Sequence, residues 1–166
     1  MKRLFFLFSL LLINFVGLAQ NYQLHAVYIY SFIRYVQWPS SSEEGDFVIG
    51  IVGDSPIIDE LERMAAAKKA GTRDIQVKKY TNLNGLDKAD IVFISKNYTD
   101  DISGILNKVG SANTLLITEK EGLGVQGSNI NFVNKNGKLA FELNRSAMDR
   151  ADLKVSSELT RLAILI

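Results

Sequence analysis

Two apolar patterns alternate along this chain. From Tyr22 to Gln37, Leu24, Val27, Tyr28, Phe32, Tyr35 and Val36 fall at helical spacing, and Ala26, Ile29, Tyr30 and Ile33 form a second stripe. A helix apolar nearly all round is either deeply buried or faces a core on one side and a partner on the other. Pro39 stops it, and Ser40 to Asp46 reads as a polar loop. Phe47 to Val52 is a continuous apolar run, the mark of a strand covered on both faces. Ser55 reads as the cap of a following helix with Pro56 at its first position, Ile57, Ile58, Leu61, Met64 and Ala65 as its apolar face, and Gly71 as its end. Ile75 and Val77 begin a second strand, and Ile91 to Ile94 is a third. Asp100-Asp101 reads as the charged first turn of a helix with Ile102, Ile105, Leu106 and Val109 on one face, closed by Gly110. Thr114 to Thr118 is a fourth strand. Strand and helix alternate, which predicts an α/β fold: a mostly parallel, Rossmann-like sheet flanked by helices in a single domain.

The last third changes period. Asn136-Gly137 is a hairpin turn signal, because a tight primed turn needs positive φ. Ile130 and Phe132 precede it, and Leu139, Phe141 and Leu143 follow it, all with period two. Asn144 reads as the cap of a short helix from Arg145 to Arg150. Ser156 reads as the cap of another, with Leu159, Leu162, Ala163 and Ile166 on one face. The expected fold thus ends in a β-hairpin and short helices.

These residues resemble the YfiR/HmsC-like family. In that family a Gly-rich turn leads to an I-x-F strand, an F-x-I/L-N strand and a short A-x-x-A-x-L-x-[IV]-S-S-x-L-x-x-L-A run. This chain has Ile130-Asn131-Phe132, then Phe141-Glu142-Leu143-Asn144, then Ala147, Ala151, Leu153, Val155-Ser156-Ser157, Leu159 and Leu162-Ala163. The family's other mark, a helix ending in Trp-Pro, is matched by Tyr30 to Pro39. The resemblance covers nearly the whole chain after residue 19. It implies a periplasmic, non-enzymatic regulator that binds and restrains the outward-facing part of a membrane signalling protein, typically a diguanylate cyclase. Cyclic-di-GMP and biofilm control would follow. A sensor histidine kinase as partner, a small-molecule ligand and a homodimer stay open.

The first residues fit export. Met1-Lys2-Arg3 is a charged start, Leu4 to Val16 is apolar but short for a membrane span, and Gly17-Leu18-Ala19 offers small residues for cleavage after Ala19. The expectation is a signal peptide over 1–19 and a domain over 20–166. Lys2 and Arg3 are two of 19 basic residues and 18 are acidic, so the mature chain is one charge negative. That is no nucleic-acid surface. The chain has no cysteine, so stability must come from the core, and any redox control in the family does not carry over.

Candidate chemistry is sparse. Gly122-Leu123-Gly124-Val125-Gln126-Gly127 fits a dinucleotide fingerprint literally, and Glu142 lies near the distance of a ribose-binding acid. Those glycines should open a helix, yet here they lead into a strand, so the reading is a turn-forming loop, or at most one that holds a small anion. His25 is the only histidine, which leaves a zinc site or a His-based triad without partners. No catalytic residue, metal or cofactor is expected. The candidate binding residues are Arg34, Tyr35 and Trp38, an aromatic and guanidinium group of the kind interface centres use, with Asn144 and Arg145 from the closing segment.

Overall fold

The computed structural model describes residues 22–39, 45–98, 102–110 and 112–166. Helix α1 covers 22–35 and passes directly into β1 (Val36–Gln37). Then follow β2 (Phe47–Val52), α2 (Ile57–Ala67), β3 (Lys69–Ala70) and β4 (Arg73–Tyr80). A 3-10 turn (Leu86–Lys88) leads to β5 (Ile91–Ile94), α3 (Ile102–Val109) and β6 (Leu115–Thr118). The chain closes with α4 (Leu123–Gln126), β7 (Ile130–Lys135), β8 (Lys138–Leu143), α5 (Arg145–Arg150), β9 (Lys154–Val155), α6 (Ser157–Leu162) and β10 (Ile164–Leu165).

Eight strands form one sheet in the order β10-β8-β7-β6-β5-β2-β4-β3. Its centre, from β4 through β2, β5 and β6 to β7, is parallel, as the continuous apolar runs require. β5 and β6 are buried along their whole length. Period-two alternation divides the core. Phe47, Ile49, Ile51, Phe93 and Ile117 face one side, under α1, α2 and the closing segment. Val52, Val92, Ile94 and Leu116 face the other, under the 3-10 turn and α3. The expected hairpin joins β7 to β8, with Asn136 at φ 54° and Gly137 at φ 77°, both positive as a primed turn demands. Its apolar face meets α1, where Phe32 lies edge-on to Phe141 at 5.0 Å and Tyr28 lies 5.6 Å from the same ring.

Four boundaries differ from the sequence expectation. The first helix stops at residue 35, because Val36 and Gln37 pair with Val155 and Lys154 in a separate antiparallel ribbon. Helix α2 starts at Ile57, whose N–H is 3.4 Å from Ser55 Oγ, and it ends at Ala67, not Gly71. Lys69-Ala70 then turns back on Arg73-Asp74, and Gly71, at φ 63°, serves that turn. The Gly122–Gly127 stretch does not lead straight into a strand, since a single helical turn, α4, intervenes. The last helix ends at Leu162, which is 66% exposed, and Ile164-Leu165 joins the edge of the sheet beside β8. Edge pairing there overrides the helical period. The expected signal segment, Asp100-Asp101 and most of the Ser40–Asp46 loop lie outside the described residues.

Candidate functional site

Helix α1 has two faces. Tyr22, His25, Ala26, Ile29, Phe32 and Ile33 are buried against the sheet. Leu24 (43%) and Val27 (57%) are exposed, and Tyr28, Ser31 and Tyr35 are partly so. With the exposed Arg34 they fall at positions 24, 27, 28, 31, 34 and 35, one continuous outward stripe of the helix. The Arg34 guanidinium lies 5.4 Å from the centre of the Tyr35 ring. This stripe leaves apolar surface in solvent that one core-facing side does not require.

Tyr35 is also where α1 meets the closing segment. The Ser156 N–H donates to the Tyr35 carbonyl at 3.0 Å, and Val36 pairs with Val155. Ser156 Oγ in turn accepts the Leu159 N–H at 3.2 Å and caps α6. A cavity of about 430 Å³ opens beside the ribbon, with Arg145, Asp149, Lys154 and Thr160 in its wall. A second, of about 560 Å³, lies across it between Gln37, Trp38, Phe47 and Arg73.

Trp38 and Asn144 are anchors. The Trp38 Nε1–H donates to the Asp90 carbonyl at 3.2 Å, and its ring stands edge-on to Phe47 at 5.1 Å. Asp90 itself is buried. Its carboxylate takes the Arg73 guanidinium through two bonds of 2.9 and 3.0 Å and the Val48 N–H at 2.7 Å. Asn144 Oδ1 accepts the Ala147 N–H at 2.9 Å, the expected cap, while its Nδ2 donates to the Gly124 carbonyl at 2.9 Å. Arg145 is exposed at the start of α5. Of the five candidates, Arg34, Tyr35 and Arg145 thus present surface around the ribbon, while the side chains of Trp38 and Asn144 are bonded into the fold, to Asp90 and to Gly124 and Ala147.

The glycine stretch is occupied by the protein itself. Gly124 packs on Glu142 and Ile166, and a Cβ there would come within 2.8 Å of Ile166 Cδ1. Glu142 accepts from Asn131 Nδ2 at 2.9 Å, inside a buried network with Thr118 and Ser128. A ribose-binding role would break that network, and one turn of helix is too short to hold a pyrophosphate. Nothing in the sequence pairs His25 with Glu119, yet its Nε2 lies 3.8 Å from Glu119 Oε2, with both side chains buried. The Tyr22 hydroxyl donates to Glu119 Oε1 at 3.4 Å, and burial and the adjacent carboxylate push the Tyr22 pKa up. Among the described residues no group of His, Asp and Glu could hold a metal ion, and no helix is long and apolar enough to cross a membrane.

Comparison with known proteins agrees with the architecture. The model of the family described as YfiR/HmsC-like matches residues 22–164. A conserved domain protein from Vibrio cholerae O1 biovar eltor has a similar solved structure, with a TM-score of 0.61 at 12% identity. The match covers 87% of this chain and 59% of that one, so this chain spans little more than half of the longer protein. At that identity the likeness is one of fold. No curated protein matches in sequence.

Proposed function

Because the chain belongs to the YfiR/HmsC-like family, whose members are periplasmic regulators in diguanylate cyclase signalling, we propose that it is exported, binds the outward-facing part of a membrane diguanylate cyclase and restrains it. The observation that carries this is the outward stripe of α1. Leu24 and Val27 stand in solvent, flanked by Tyr28 and Tyr35 and ended by Arg34. Aromatic and Arg residues are enriched in the centres of protein interfaces, and an exposed apolar helix face rimmed by polar groups is the form such centres take. The β1–β9 ribbon ties the end of this helix to the closing segment, so a partner seated on α1 has the Arg145 surface within the same unit. The protein acts by binding and has no turnover of its own, in keeping with a family of regulators and with the filling of the glycine stretch by Glu142 and Ile166.

The test is in cells. Deleting the gene should raise cyclic-di-GMP and biofilm, and the wild-type chain should restore both. Val27→Asp, which places a charge at the exposed centre of the stripe, should be exported at normal levels and fail to restore. Unchanged cyclic-di-GMP on deletion would refute cyclase control, and a phosphotransfer defect in its place would move the partner to a histidine kinase.

A further inference from the structure

The sheet has a switch point at the end opposite Trp38. β4 lies on one side of β2 and β5 on the other, so successive connections diverge outside the carboxyl ends of β2 and β5. Open α/β sheets take ligands in that crevice. Here it is a cavity of about 450 Å³, within the range of small-molecule sites. Gly53 and Asp54 enter it from the end of β2, Lys79 from β4, and Ser95, Asn97 and Tyr98 from the segment after β5.

A second observation points the same way. Ser95 is 2% exposed, and its Oγ is the one buried side-chain polar atom among the described residues that has no hydrogen-bond partner. A buried hydroxyl left unpaired costs free energy, and such exceptions call for a reason. Gly53 stands over it at φ 86°, where a Cβ would come within 2.8 Å of that oxygen and 2.9 Å of Tyr98 Cβ. The glycine keeps the approach to the hydroxyl open.

We propose that this crevice binds a small neutral polyhydroxylated ligand, a monosaccharide or a similar polyol. Hydroxyls of such a ligand both donate and accept, and the cavity offers both. Asp54 accepts, Lys79 donates, and Ser95 and Asn97 do either. The half-exposed Tyr98 adds a flat apolar face with a polar tip, suited to a sugar ring. Charge argues against an anion. Among the described residues Lys79 is the only cation in the wall, and it is already paired with the Asp54 carboxylate. A phosphate would have to break that pair and sit beside a negative group. The pair is solvent-exposed, so opening it to ligand hydroxyls costs little. The site does not depend on the regulatory reading, and it is tested on the isolated protein with no cyclase present.

Backbone amide shifts of the purified protein, followed by NMR during titration with D-glucose, D-galactose and D-ribose, test it, with inorganic phosphate as the anionic control. At least one sugar should give saturable shifts at Asp54 and across Ser95 to Tyr98. Ser95→Ala should weaken that binding about tenfold, as loss of one buried hydrogen bond does. It should leave the melting temperature unchanged or raise it, because the removed hydroxyl has no partner in the fold. Asn97→Ala is a second variant, at an exposed position. No saturation with any of the three sugars, phosphate binding tighter than every sugar, or full-strength sugar binding by both variants would overturn the proposal.

Discussion

The Glu119 carboxyl lies beneath the start of α1, with His25 Nε2 3.8 Å from one oxygen and the Tyr22 hydroxyl on the other. Burial pushes its pKa up, and the Lys96 N–H, donating at 3.0 Å, only partly opposes that. A carboxyl whose folded pKa is raised favours folding while protonated. Its contribution is full below the ordinary unfolded value of about 4.3 and is lost as pH climbs through the folded one. Gln at this position keeps an oxygen for Lys96 and Tyr22 without the buried charge. Glu119→Gln should therefore match or exceed the parent in stability at pH 7, with the difference closing below about pH 4. Urea denaturation at the two pH values checks this. Strong destabilisation at pH 7 would instead mean that the His25–Glu119 ion pair carries stability. Of this cluster only His25 was legible in the sequence, as the single histidine. Its partner lies beyond five strands of the sheet, where no local pattern reaches. The Trp38 anchor was likewise out of reach of any local pattern, because its Nε1–H bonds to the Asp90 carbonyl 52 positions away.

Elements whose cause is local were legible, and those made by distant pairing were not. Asn136-Gly137 set the hairpin because its turn needs two positive φ angles in succession. Asn144 and Ser156 announced α5 and α6 because a cap is a local bond. The β1–β9 ribbon and β10 escaped, since their hydrogen bonds come from residues more than twenty positions away. Asn144 links both kinds, capping α5 through Oδ1 and fastening the glycine stretch through Nδ2. Asn144→Ala should lose about 1 kcal/mol from the cap alone and a further contribution of similar size from the Gly124 bond. Asn144→Ser keeps a capping oxygen and removes the second donor without setting a charge against the Gly124 carbonyl, so it should fall between the parent and Asn144→Ala. Thermal unfolding of the three proteins measures the split. Equal loss in both variants would show that the cap contributes nothing.

At the scale of the whole molecule, a parallel sheet covered on both faces presents two separate surfaces. The carboxyl ends of β2 and β5 hold the small-ligand crevice, and the opposite end holds Trp38 and the ribbon. The parallel sheet was evident from apolar periodicity, and so was a first helix apolar nearly all round, which left deep burial and a two-sided helix both open. Which side of that helix faces out was not evident, because both stripes are apolar and only the hairpin decides between them. Tyr28 is the instructive residue, tilted against Phe132 and edge-on to Phe141 on one side and partly exposed on the other. The central claim is that the open side restrains a cyclase, and its most direct test is the rate of cyclic-di-GMP formation by membranes that carry the cyclase, titrated with purified chain. The wild type should slow the rate. Arg34→Ala should melt within about 0.5 kcal/mol of the parent in stability. It should need about thirtyfold more protein for the same inhibition, as loss of a 2 kcal/mol hot-spot contact implies. Equal inhibition by a folded Arg34→Ala chain that also carries Val27→Asp would contradict the claim, and so would a cyclase rate that the wild type leaves unchanged.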